Sequence, residues 1–269
     1  MIPTCFISHT WRGGEHHFAM RLADALKQKK IEVWIDEEQI TPGTHIKERI
    51  KKGIMHNSDA FLIVMSPEAL NSEMVKYELE LALNQMEEYC KAIIPVLFKE
   101  CEIPDFLEKI CYADFRNPLY FDAALERLIK GIKHSAEVRD RCANLNHPNL
   151  NERIKTSEEL GDLKNFLALG CLKNRLLSEE SDPEVRYWLA IAIGEIGGKK
   201  AVNILAQAIE QEKDSFARLG IIDGMIEAFE SLDNDEFNRV KSILFNLKNA
   251  PDNIVKTKVK EYCKKKGDK

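Results

Sequence analysis

The chain has 269 residues, of which 44% are apolar and 31% charged, so it can bury an ordinary globular core and is long enough for two domains. A net charge of -5 argues against a general grip on nucleic acid, which needs a basic face. No apolar stretch reaches the roughly 18 to 20 residues of a membrane helix, and Met1-Ile2-Pro3 begins nothing like a signal peptide. The seven cysteines, at 5, 90, 101, 111, 142, 171 and 263, are odd in number and form no CxxC pair. That spacing suits reduced thiols in a cytoplasmic protein and argues against a disulfide framework or a structural zinc.

In chain order, Thr4-Cys5-Phe6-Ile7-Ser8 reads as a buried strand, and Phe18 to Lys29 as a helix with Phe18, Leu22, Ala25 and Leu26 on one face. Ile31 to Asp36 is a second strand. A loop from Glu37 to Gly43 follows, marked by Thr41-Pro42-Gly43, and then a helix from Ile46 to Met55. Ala60 to Met65 is apolar throughout, as a strand covered on both faces must be. Val75, Leu79, Ala82, Leu83 and Met86 stripe the next helix. Ala92 to Phe98 is the fourth strand, whose Pro95 suggests an edge or a bulge. A weaker strand at Tyr112 to Phe115 precedes a helix from Phe121 to about Ile132. Strict alternation of strand and helix implies a parallel sheet covered on both faces.

The pattern changes after His134. Arg139 to Leu150 is polar and reads as a linker, and no strand signal follows Asn151. Asp182-Pro183-Glu184-Val185-Arg186 is echoed by Asp214-Ser215-Phe216-Ala217-Arg218 and more faintly by Asn149-Leu150-Asn151-Glu152-Arg153. Gly161 and Gly194 match at the eighth position beyond the arginine. Asp as N-cap with Pro in the first turn is a helix start, and Gly197-Gly198 is a stop. Paired helices recurring at this period make an α-solenoid. The segment resembles HEAT-like repeats. The basic run from Lys258 to Lys269 reads as a solvated helix end.

Cys5-Phe6-Ile7-Ser8, Val33-Trp34-Ile35-Asp36, Ile40-Thr41-Pro42-Gly43, Phe61-Leu62-Ile63-Val64-Met65-Ser66-Pro67 and Val75-Lys76-Tyr77-Glu78-Leu79 stand in one order over residues 3 to 133. Together they resemble a TIR domain. The resemblance implies an α/β fold, a flavodoxin-like parallel five-stranded sheet, followed here by the all-α HEAT-like solenoid. The expected division is 1–134 for the TIR domain, 135–150 for the linker and 151–269 for the repeats.

TIR domains include enzymes that cleave NAD+ and adaptors that only assemble. In the enzymes a carboxylate sits beside the nicotinamide ribose, where departure of the base leaves an oxocarbenium-like centre. Glu78 occupies the position of that glutamate. With Val75, Leu79, Ala82 and Met86 turned to the core, Glu78 lies at the shoulder of the stripe, partly desolvated, a setting that raises a carboxyl pKa. The plain alternative is a surface glutamate on an acidic helix.

The resemblance also implies substrate contacts from the turn after the first strand. Ser8 opens that turn, Trp11 or His9 would stack on the ring, and Arg12 would pair with the pyrophosphate. Asp36, Ile40 and Gly43 frame the loop after the second strand, Ser66 ends the third, and Met74 stands where many members have a tryptophan against the substrate. His16-His17 has no partner at metal-ligand spacing, Gly13-Gly14 lacks the Lys of a P-loop, and no phosphoacceptor Asp ends the third strand. The expectation is therefore a cytoplasmic NAD+ glycohydrolase or cyclase needing no cofactor or metal, with NAD+ as substrate. TIR self-association would complete the site, and a trigger bound by the repeats would control it, in a prokaryotic defence role. The alternatives are a TIR adaptor with an inert Glu78 and a factor that blocks TIR signalling through the loop at Ile40 to Gly43.

Overall fold

The computed structural model describes residues 2–35, 58–89, 91–104, 107, 110–228, 242 and 256–260. The loop from Glu37 to Gly43 and the helix from Ile46 to Met55 lie outside the described residues. The chain divides into two compact units, Met1–Asp140 and Arg141–Lys269.

The first unit is built on five strands: β1 Thr4–Ser8, β2 Glu32–Ile35, β3 Ala60–Met65, β4 Ala92–Leu97 and β5 Ala113–Asp114. All pair in parallel, in the order β2-β1-β3-β4-β5. Every residue of β3 is buried, as its uninterrupted apolar run requires. Helix α1, Glu15–Gln28, turns Ala19, Leu22, Ala23 and Leu26 inward. A single turn, α2 Pro67–Leu70, and the longer α3, Glu73–Tyr89, follow β3. Phe6, Phe61, Ile63 and Met65 pack against Val75, Leu79 and Ala82 of α3, the stripe read from the sequence.

Pro95 does not mark an edge strand. It lies in β4, between β3 and β5, opposite Ile63. The β5 ladder meets β4 only at Val96 and Leu97, so the proline precedes it and interrupts no bond to β5. The helix expected to stop near Ile132 runs on as α4, Phe121–Asn144, so residues 135–144 of the expected linker are helical.

At the amino-terminal ends of the strands, Asp59 is fully buried. It accepts hydrogen bonds from the Thr4 amide at 2.7 Å and the Thr4 hydroxyl at 3.0 Å, and pairs with Arg139 of α4 at 2.6 Å. Ser135, also on α4, donates to the Asp59 carbonyl at 2.6 Å. One acidic side chain thus ties β1, β3 and α4 together below the sheet.

The second unit holds α5 Leu150–Asp162, α6 Leu169–Asn174, α7 Pro183–Ile196, α8 Gly198–Gln211 and α9 Ser215–Ala228, with a π-helical turn at Arg175–Glu179. Helices α5, α7 and α9 are equivalent members of successive repeats, and α7 packs on both of the others. Asn149, Asp182 and Asp214 accept hydrogen bonds from the first-turn amides of these helices. The arginine four positions on is the repeated fastener. Arg153 binds Glu180 at 2.9 Å and Arg186 binds Glu212 at 2.6 Å. Arg153 and Arg186 each also donate to carbonyls of the loop before their own helix, and Arg218 to the carbonyls of Glu212 in the loop before its helix and Ile209 in the last turns of α8.

The glycines explain how closely the helices approach. A Cβ at Gly220 would sit 2.6 Å from the Tyr187 Cα, and one at Gly224 would overlap the Ala190 carbonyl oxygen. The matched glycines Gly161 and Gly194 likewise face Ala192 and Gly224 on the neighbouring helix.

The expectation of reduced thiols is corrected at one pair: Cys142 at the end of α4 and Cys171 on α6 form a disulfide, 29 residues apart. Sequence spacing could not foresee it, because only the fold brings the two together. Cys5, Cys101 and Cys111 are free.

Two substitutions test these joints. Asp59→Ala strips a buried acceptor from Thr4 and Arg139 and is expected to destabilise the first unit by about 3 kcal/mol, read as a lower urea midpoint. Gly224→Ala is expected to cost the repeat unit about 2 kcal/mol, because backbone on the facing helix must move.

Candidate functional site

In an open parallel sheet the strand order reverses where neighbouring crossovers go to opposite faces, and the carboxyl ends of the strands there leave a crevice. Here the reversal lies between β1 and β3. A cavity of about 630 Å³ opens at that place. Thr10 and Arg12, from the turn after β1, line one side, and Pro67, Glu68, Asn71, Ser72 and Glu73, from the turn after β3 and the start of α3, line the other. A cation at the first wall and carboxylates and amides at the second give a lining suited to a polar, hydroxyl-bearing anion.

Glu78 lies on α3 and is 1% exposed. The surface-glutamate reading fails on this number, since the side chain is withdrawn from water further than the shoulder position implied. Glu78 is not among the described residues that line the cavity, whose wall ends at Glu73 on the same helix. Met74 is 37% exposed at the start of α3.

The other expected contacts divide by burial. Trp11 is 57% exposed and stacks one face on His16, with ring centres 4.4 Å apart and planes within 6°. Trp11 is not among the described residues that line the cavity. His9 is buried and exchanges a hydrogen bond with His16, Nε2 to Nδ1 at 3.0 Å. Of the two rings expected to stack, Trp11 is the exposed one and His9 the buried one. Burial, then the neighbouring His16, lower the His9 pKa from 6.5 to about 4.

Ser8 and Ser66 are also buried and are not among the described residues that line the cavity. The Ser66 hydroxyl donates to a Glu15 carboxylate oxygen and accepts from the Ala69 amide at 3.0 Å, which caps α2. Its hydrogen is committed to a protein partner. Asp36, Ile40 and Gly43 lie outside the described residues.

Sequence reasoning misses Glu15, His16, Glu68 and Lys99. His16 lacks a metal partner at ligand spacing, yet it backs the exposed indole. Glu15 is fully buried, in the first turn of α1. Burial pushes its carboxyl up, against the hydrogen bonds from Ser66 and the Thr10 amide. Glu68 and Lys99 pair at 2.9 Å across Gly13, where a Cβ would come within 2.8 Å of both. Gly13 has φ 66°, so a side chain there is disfavoured twice. Among the described residues no group of three or more His, Cys, Asp or Glu side chains could hold a metal, and no helix is long and apolar enough to cross a membrane.

The His9 pKa makes a testable statement. A histidine buried neutral contributes stability that is complete above its unfolded pKa of 6.5 and is lost as pH falls toward the folded value of about 4. The first unit is expected to lose on the order of 3 kcal/mol across that interval from this residue. Urea unfolding at a series of pH values should show the slope in the natural chain and a shallower one in His9→Gln.

Comparison with known proteins agrees with this architecture. The family description "TIR domain" matches residues 5–129, and "HEAT repeats" matches residues 138–226. The 2' cyclic ADP-D-ribose synthase AbTIR of Acinetobacter baumannii is 32% identical over 95 residues, covering 35% of this chain and 34% of that protein. The chain thus aligns with about a third of the length of this curated relative. The crystal structure of the TIR domain of the Toll-related receptor TRR-2 from Hydra magnipapillata superposes with a TM-score of 0.42 at 24% identity, over 48% of this chain and 97% of that one.

Proposed function

The chain carries a TIR domain followed by HEAT repeats, and we propose that it cleaves NAD+ at the nicotinamide–ribose bond. The products in this reading are nicotinamide and ADP-ribose or a cyclic isomer of it. The observation that carries the proposal is a carboxylate, Glu78, withdrawn from water on the helix that also borders the β1/β3 crevice. Similarity to a cyclic ADP-D-ribose synthase supports the same chemistry.

As the C–N bond of the nicotinamide riboside breaks, the leaving base takes the bonding pair and the ribose carbon becomes positive. A fixed anion in a site of low dielectric stabilises that charge without reorganising at the moment of reaction. Glu78 fills this role. Arg12 pairs with the pyrophosphate, the outer face of Trp11 takes a planar ring, and Met74 covers apolar substrate surface. Water or a hydroxyl of the same nucleotide then captures the ribose carbon, which separates hydrolysis from cyclisation.

The cavity is open at the surface, so a neighbouring TIR domain closes it in this reading, and the helical repeats promote or restrain that assembly in response to a trigger. A role in prokaryotic defence follows by analogy alone. A cytoplasmic location belongs to the same proposal, and the Cys142–Cys171 disulfide is the observation that runs against a reducing compartment.

The test is nicotinamide release from NAD+ by the full chain over a range of protein concentrations. Glu78→Gln, close in shape to the original, is expected to slow release by about 100-fold or more with an unchanged far-UV circular dichroism spectrum. Release by this variant within threefold of the natural chain would remove Glu78 from the mechanism. No release at any concentration would leave the adaptor reading.

A further inference from the structure

The carboxylate of Glu15 is harder to account for than that of Glu78. It sits in the first turn of α1, where a negative charge is favoured by the helix dipole and could be left in water. Instead it is fully buried, at a cost that only hydrogen bonding offsets. The preceding residue, Gly14, is the N-cap and supplies no side-chain cap. Glu15 reaches back to the turn before it and accepts from the Thr10 amide at 3.3 Å. With its other oxygen it accepts from the Ser66 hydroxyl, which lies just past β3, 51 residues on.

These two partners belong to opposite walls of the cavity. Thr10 is on the β1 side with Arg12, while Ser66 caps the turn that carries Pro67 and Glu68 and leads into α3. The walls meet at a second point, where the Glu68–Lys99 ion pair lies over Gly13. That contact is half-exposed and rests on flexible side chains. The Glu15 contact is dry and reaches backbone on both sides: directly at the Thr10 amide, and through Ser66 at the Ala69 amide.

We propose that Glu15 is a positioning residue of the crevice, a buried strut that fixes the distance between the Arg12 wall and the Glu68–Glu73 wall. It touches no ligand. It acts by holding Arg12 and the start of α3 where one nucleotide can engage both. As an account of catalysis this rests on the NAD+ reading, while its structural content can be tested apart from it.

The structural arm is amide hydrogen exchange on the full chain. Glu15→Ala is expected to speed exchange at both Thr10 and Ala69 by at least tenfold, with Ile7 and Leu62 in the sheet unchanged. Ser66→Ala cuts the same joint from the far side and is expected to speed Thr10 likewise. Glu15→Gln can accept from the Thr10 amide and donate to the Ser66 oxygen, and is expected to restore slow exchange at both amides. Unchanged Ala69 in Glu15→Ala would overturn the proposal. If Glu15→Ala loosens Leu62 as well, Ser66→Ala becomes the deciding variant, and unchanged Thr10 there would overturn it.

The functional arm is steady-state nicotinamide release. Glu15→Ala is expected to raise KM for NAD+ at least tenfold with kcat within threefold, and Glu15→Gln to bring KM back to within threefold of the natural chain. A Glu15→Gln variant that loses kcat as Glu78→Gln does would make Glu15 a chemical participant and overturn the positioning role. If the natural chain releases no nicotinamide, the NAD+ reading fails by itself and hydrogen exchange alone decides the strut.

Discussion

The adjacency of β1 and β3 is the constraint from which the candidate site follows. Strands 1 and 2 build the sheet in one direction and strands 3 to 5 in the other, so the turns leaving β1 and β3 part over a gap that no crossover fills. Any residue just past Ser8 or Met65 is delivered to the rim of that gap. Arg12, Glu68 and Glu73 are there for this reason, whatever else they do. The same reversal creates a structural problem, since two turns that diverge must still be held at a fixed spacing. Glu15 and Ser66 meet that need from within the protein, which leaves the exposed side chains of both turns to face a ligand.

Burial separates side chains that the sequence could only group together. Ser8, His9, Trp11 and Arg12 are neighbours in one turn, yet Ser8 and His9 are enclosed while Trp11 and Arg12 face outward. The turn has two layers, an inner one of enclosed side chains and an outer one of exposed ones. His16 connects them, bonded to His9 and stacked under the Trp11 indole. An imidazole held neutral within the inner layer adds no charge behind the turn.

Much of the fold is legible in the sequence because its signals are local. The uninterrupted run from Ala60 to Met65 has the pattern of a doubly covered strand, and the Val75, Leu79 and Ala82 stripe fixes which side of α3 faces the sheet. That stripe also puts Glu78 beside the core, although its near-complete burial depends on packing that no periodicity encodes. Periodicity starts α1 at Phe18, three residues late, because Glu15, His16 and His17 read as polar loop. The Glu15–Ser66 joint, the Asp59–Arg139 pair and the Cys142–Cys171 disulfide have no sequence signal, since each joins residues far apart in the chain. The extension of α4 through Asn144 is hidden by a polar composition that suits a solvated helix as well as a linker.

The repeat unit follows a different logic from the sheet. Its helices α5, α7 and α9 meet through glycine and alanine at backbone distance, and its loops are fastened by an arginine that grips a carboxylate of the following repeat. The carboxylate partners of Arg153 and Arg186 lie in the next loop, so order passes along the array from neighbour to neighbour. Glu180 shows how tightly: its carboxylate takes Arg153 from the repeat before, Arg175 from the π-helical turn and the amide of Asp182, the next N-cap. One side chain therefore couples the end of one repeat to the helix start of the next. A disturbance at one loop therefore meets the adjoining N-cap before anything farther along. In the sheet unit, by contrast, Asp59 and Glu15 join distant segments, and that unit is built to hold a fixed geometry.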